Sequence, residues 1–159
     1  MRVEISIKQQ VLTLYDDEGG VKEQYPVSTA ANGVGCDKDS GCTPLGAHII
    51  RAKIGVGVPP NGVFVGRRAT GEICTDELMK AFPDRDWILT RILWLSGTEI
   101  GKNRLGKVDT MQRYIYIHGT PDNTDMSIIG SHGCIRMRNE DVIALFDMVE
   151  AGTAVVILE

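Results

Sequence analysis

No stretch of this 159-residue chain reaches 18 uninterrupted apolar residues, so no membrane-spanning helix is expected. The opening Met1–Lys8 alternates polar and apolar positions and lacks the apolar core of a signal peptide. There is no excess of positive charge: 17 Lys and Arg stand against 21 Asp and Glu, for a net charge of −4 and a pI near 5.4. A chain so balanced offers no basic stripe for a run of phosphates, and nucleic acid is not expected as a partner. Closely paired cysteines are also missing, since five residues separate Cys36 from Cys42, with Cys74 and Cys134 far away. That spacing does not match the C-x-x-C pairs of structural zinc, and a domain of this size does not need a disulfide framework. Compartment base rates favour free thiols at Cys36 and Cys42, with a Cys36–Cys42 disulfide as the alternative. Repeats, low-complexity tracts and linkers are absent too, so residues 1–159 read as a single domain that buries roughly 70% of its unfolded surface.

Glycine is plentiful. Its 18 residues are about 11% of the chain against a usual ~7%, which favours many turns and a mainly β architecture. Val3, Ile5 and Ile7 share one face of a first strand, and Val11–Tyr15 and Val21–Thr29 read as the second and third. Ala30–Leu45 is a long polar loop, of the kind that in a compact domain is often functional. His48–Ile54 and Val63–Arg67 read as further strands, and the apolar Trp87–Leu95 as a central strand buried on both faces. Thr75, followed by Asp76 and Glu77, starts a short helix that Pro83 limits. Asn139 caps a second, whose Val142, Ile143, Leu145, Phe146 and Val149 recur at helical spacing. Arg113–Ile117 is a strand leading directly into His118, and Thr153–Leu158 is the last.

The chemistry concentrates in Ser131-His132-Gly133-Cys134-Ile135-Arg136-Met137. A thiol beside basic groups is expected to have a lowered pKa, and the thiolate is the attacking form in acyl transfer, so Cys134 is the candidate nucleophile. His118, at a strand end where a loop can aim it, is the candidate base. The spacing of 16 positions suffices for one loop out and back. Gly133 and Cys134, lying just before the second helix, are placed to turn main-chain N–H groups toward an oxyanion. Adjacent residues of an extended segment face opposite ways, so His132 has a supporting role, and Ser131 helps fix the turn. Arg136 has the fork geometry that grips a carboxylate; its other reading is an ion pair with Glu140 or Asp141. Asp141 itself sits where it favours the helix N-terminus. Cys74 and His48 read as structural.

A strand ending in His-Gly, a loop, Ser-His-Gly-Cys-hydrophobic-Arg and then Asp141 resembles the YkuD-type catalytic domain of L,D-transpeptidases. The resemblance implies a β-sandwich-like fold with a mixed sheet and no cofactor. The Gly119 carbonyl would orient His118, Gly133 and Cys134 would form the oxyanion hole, and Arg136 would bind substrate. It further implies a peptidoglycan stem tetrapeptide or muropeptide as substrate, cleaved before its terminal D-alanine through an acyl-enzyme on Cys134, and covalent inhibition by carbapenem β-lactams. Water as acceptor makes an L,D-carboxypeptidase of murein recycling, the expected activity if Met1 is the native start and the protein is cytoplasmic. An amine acceptor makes 3-3 crosslinks or exchanges D-amino acids, as expected in the periplasm or cell wall if a leader was removed. The weaker alternatives are a catalytically dead peptidoglycan-binding domain, or a zinc module built from Cys36, Cys42, His118, His132 and Cys134.

Overall fold

Period-two alternation in Arg2–Ser6 (β1) and Val11–Tyr15 (β2) sends Val3, Ile5, Leu12 and Leu14 to one side, where all four are completely buried. In the computed structural model, which describes residues 1–159, these strands begin a mixed ten-stranded sheet. β3 (Val21–Ser28) runs antiparallel to β2, and β10 (Ala154–Leu158) runs parallel to β1. β4 (Gly46–Ile54) pairs antiparallel with both β10 and β7 (Ile88–Gly97). β8 (Tyr116–Gly119) lies antiparallel to β7, and β9 (Ile135–Met137) joins it in parallel while bonding β3 on its other edge. The order β4-β10-β1-β2-β3-β9-β8-β7 therefore returns to β4 and closes on itself. A closed sheet leaves few free edges. The hairpin β5 (Gly62–Val65) and β6 (Arg68–Ile73) attaches to the first residues of β7.

One cluster of 19 buried side chains fills the interior, with residues from β1, β2, β3, β4, β7, β8, β9 and β10. The helix α2 (Asn139–Met148) adds Val142, Leu145 and Phe146 to it. Each fully buried Leu or Ile contributes about 1.5–3 kcal/mol, so this cluster is the main source of stability. The other helix, α1 (Asp76–Ala81), starts as expected: Thr75 Oγ1 accepts from Leu78 N–H at 3.1 Å.

Four local expectations change. The strand expected over Arg113–Ile117 begins only at Tyr116, because Arg113 bonds back to Asp109 O and Tyr114 takes a left-handed φ of 56°. β6 and the three-residue β9 are additional strands. Cys134 consequently enters a strand, not a helix, and a helix N-terminus does not supply its N–H environment. Asn139 is the first residue of α2 and not its cap. Its amide points inward, bonding Asn61 Oδ1 at 2.8 Å and Asp122 Oδ1 at 3.0 Å and accepting from Thr90 Oγ1 at 2.6 Å. A buried polar network of this kind outcompetes an exposed cap.

Candidate active site

The register of β8 against β9 brings the site together. Ile117 pairs with Ile135, and both are buried in the core. Because side chains alternate, Tyr116 and His118 on one strand and Cys134 and Arg136 beside them project from the opposite face. Cys134, immediately before β9, is thus a diagonal neighbour of His118, 16 positions away in sequence but one step across the sheet. The same face of β7 adds Ile92, which packs with Tyr116 and Phe64 and against Trp94 and Cys134.

His118 is buried, and its Nδ1 lies 2.6 Å from the Gly119 carbonyl. A carbonyl only accepts, so Nδ1 carries the proton and Nε2 keeps its lone pair for the cleft. Burial lowers the His118 pKa, with the Gly119 bond and Asp86 opposing, and the imidazole is neutral at pH 7. Gly119 has no room for a side chain: a Cβ there would lie 2.6 Å from Leu89 O.

The thiol departs from expectation. Burial pushes Cys134 up to about 12; Tyr116 N–H, Arg136 and Arg113 pull downward and Asp86 upward, without reversing it. Its Sγ accepts from Tyr116 N–H at 3.3 Å and directs its own proton to Tyr114 O at 3.4 Å. The basic neighbours in sequence do not act as the sequence suggests. The His132 side chain is 79% exposed, and Arg136 faces Asp86, with Nη2 3.6 Å from Oδ1. The resting pair is a neutral thiol and a neutral imidazole.

Asp86 was not foreseen, and neither was its pairing with Arg136 in place of Glu140 or Asp141. It also lies 3.9 Å from His132 Nδ1, between the two basic residues. It sits in Asp84-Arg85-Asp86, a charged run before β7, where only tertiary contact distinguishes it from a solvated turn. Arg67 was missed as well. It occupies the β5–β6 turn with φ of 65°, donates to Tyr116 Oη at 3.0 Å and stacks 4.7 Å from the ring centres of Trp94 and Tyr114. The sequence pattern places it inside a strand, Val63–Arg67, whereas β5 ends at Val65 and Gly66-Arg67 forms the turn.

Two clefts meet here. One, of about 480 Å³, is lined by Cys134, His118, Tyr114, Tyr116, Arg67 and Arg113. The other, of about 770 Å³, runs between α1 and the Thr120–Thr124 segment and ends at Arg136. Asp86 and His132 border both. Ser131 organises the intervening turn: its hydroxyl donates to Cys134 O at 2.6 Å and accepts from Gly133 N–H at 3.3 Å. Gly133 takes a φ of +126°, and a Cβ there would meet Ile115 at 2.9 Å. His48 is structural, bonded to Gly46 O at 2.9 Å and Thr110 Oγ1 at 3.0 Å. Cys74 is buried with Val63, Trp87 and Leu89. All four cysteines are free, and no three His, Cys, Asp or Glu side chains converge on a common point.

Comparison with known proteins addresses the family and the fold. Residues 1–157 match the family described as YkuD, L,D-transpeptidase catalytic domain. The probable L,D-transpeptidase YbiS of Escherichia coli K12 is 49% identical over 43 residues, which are 27% of this chain and 14% of that protein. The probable L,D-transpeptidase ErfK/SrfK of Salmonella typhimurium is 47% identical over 47 residues, 30% of this chain and 15% of its own. Among solved structures, a cysteine-to-serine mutant of an Enterococcus faecium L,D-transpeptidase superposes with a TM-score of 0.59 at 18% identity, over 99% of this chain and 49% of that one. Mycobacterium tuberculosis L,D-transpeptidase 3, in complex with a faropenem-derived adduct, gives 0.60 at 18% identity, over 99% and 59%. The matches thus cover a small part of the curated relatives, and the chain spans about half of the solved ones.

Proposed function

Since the chain belongs to the YkuD family of L,D-transpeptidase catalytic domains, we propose that it transfers the acyl group of a peptidoglycan stem tetrapeptide through a thioester on Cys134. The observation that carries this reading is the placement of the thiol and a carbonyl-oriented imidazole on one sheet face, lining one cleft. The Cys134 sulfur attacks the carbonyl carbon that precedes the terminal D-alanine. Its proton passes to His118 Nε2 as the S–C bond forms, and the carbonyl electron pair moves onto oxygen. Collapse of the oxyanion breaks the C–N bond, and His118 returns the proton to the departing amine of D-alanine. A neutral thiol at about 12 suits this coupled transfer: its proton, directed to Tyr114 O at rest, turns to the neutral His118 as the sulfur attacks. Main-chain N–H groups at Gly133 and Cys134 face the oxyanion, the former exchanging its bond to Ser131 Oγ. Arg136 takes a substrate carboxylate, with His132 and Ser131 shaping its surroundings.

The acceptor divides the reading. Water gives an L,D-carboxypeptidase acting on recycled muropeptides in the cytosol; an amine gives 3-3 crosslinks or D-amino-acid exchange in the periplasm or wall. Incubation with a disaccharide-tetrapeptide, with and without D-methionine, separates them by product mass. Tripeptide with free D-alanine regardless of the amine is hydrolysis, and D-methionine-capped tetrapeptide or dimers are transfer. Absence of all three would overturn the proposal. Carbapenems are expected to acylate the same thiol.

A further inference from the structure

The loop Ala30–Leu45, long and without a helix or strand, meets the catalytic turn through the Ala31 N–H bond to Ser131 O and through one buried side chain, Thr43. Thr43 is fully buried, and its backbone is pinned on both sides: its N–H donates to Gly33 O and its C=O accepts from Gly35 N–H, each at 2.9 Å. Its hydroxyl accepts from Ala30 N–H at 3.1 Å, so its one proton is directed to the Gly133 carbonyl, 3.0 Å away. The Gly133 C=O and the Cys134 N–H belong to the same planar peptide unit and point in opposite directions. Holding the oxygen toward Thr43 therefore aims the Cys134 N–H away from the loop. Around it, the Gly133 N–H bonds Ser131 Oγ, the Ser131 hydroxyl bonds Cys134 O, and Ser131 O accepts from Ala31 N–H. The Cys134 N–H has no acceptor within the protein.

We propose that Thr43 is a positioning residue for acyl transfer, fixing the Gly133–Cys134 peptide so that its N–H meets the oxyanion formed at Cys134. The hydrogen bond received by the carbonyl also polarises the peptide and strengthens its N–H as a donor. Arg113 keeps the support in place, donating to Cys42 O at 2.7 Å and Gly35 O at 3.2 Å on either side of the residues that lead into Thr43. The inference rests on the acyl-enzyme reading above.

Thr43→Val keeps the shape and removes the hydroxyl; Thr43→Ser keeps the hydroxyl. Two reactions of the same thiol are compared. Acylation by a carbapenem, followed by intact mass, passes through an oxyanion, whereas alkylation by iodoacetamide at pH 9.5, followed by peptide mapping of Cys134, does not. Thr43→Val should slow acylation by roughly tenfold to a hundredfold, the range for a misplaced oxyanion donor. Thr43→Ser should stay within about threefold of wild type, and alkylation should remain within about twofold in both. Acylation of Thr43→Val at the wild-type rate, or acylation and alkylation falling together, would overturn the assignment. If Thr43→Val does not fold, Thr43→Ala is judged by the same two rates. Wild-type protein that is alkylated but never acylated would instead overturn the acyl-enzyme reading.

Discussion

Titrating the reactivity of Cys134 distinguishes a buried neutral thiol from the thiolate–imidazolium pair that its sequence neighbours suggest. With the thiol pushed up to about 12, about 3 in 100,000 molecules carry a thiolate at pH 7.5, against about 9 in 100 for a thiol titrating near 8.5. Population alone slows alkylation roughly 3,000-fold. The rarer thiolate is the stronger nucleophile, and a Brønsted coefficient of ~0.4–0.5 recovers about 25- to 55-fold of that, leaving a rate about 100-fold below that of free cysteine. Iodoacetamide labelling, read at Cys134 by peptide mapping, should rise about tenfold per pH unit from pH 7 to 10 without levelling. Carbapenem acylation should behave differently. His118 serves as its base, so that rate should rise only through the His118 titration, below the ordinary imidazole range, and be flat above it. An alkylation rate that plateaus near pH 7 would refute the neutral pair and establish an ion pair at rest.

Asp86 faces both members of that pair and raises the pKa of each. Asp86→Asn should therefore move the acidic limb of kcat/KM to lower pH, and an unmoved limb would exclude Asp86 from the electrostatics of the site. Stability should also respond to acid. The His48 pKa is lowered to about 4 by burial, so between about pH 6.5 and 4 the unfolded chain binds a proton that the folded chain refuses. This contribution is intact above pH 6.5 and lost as the pH falls. It amounts to about 2 kcal/mol between pH 7 and pH 5, with His118 acting in the same direction. Urea denaturation of His48→Gln should show a correspondingly smaller loss over that interval, and an acid sensitivity equal to wild type would contradict the assignment.

That Cys134 and His118 belong to one site was legible because each lies in a segment with a strong local signal: a dense polar heptapeptide for Cys134, and the alternation of Tyr114-Ile115-Tyr116-Ile117 for His118. The direction of the Cys134 shift was not. Proximity in sequence counted His132 and Arg136 as charges acting on the thiol, whereas the fold exposes one and ties the other to Asp86, and desolvation prevails. Strand β9 escaped notice because three residues are too few to show a period. Asn139 had a cap's composition and position, but the bonding potential of Thr90, Asn61 and Asp122 became visible only when β7 and two loops converged on it. The loop Ala30–Leu45 was recognised as long and polar, but its attachment to the catalytic turn spans 90 residues of sequence, from Thr43 to Gly133, and has no local signature.

The proposed acyl transfer requires a covalent acyl group on Cys134. Intact-protein mass spectrometry of samples quenched early in the reaction with a disaccharide-tetrapeptide tests it directly. The prediction is an adduct of the disaccharide-tripeptide mass that maps to Cys134, with one D-alanine released per adduct, and neither adduct nor D-alanine from Cys134→Ala. Release of D-alanine by Cys134→Ala at the wild-type rate would contradict it.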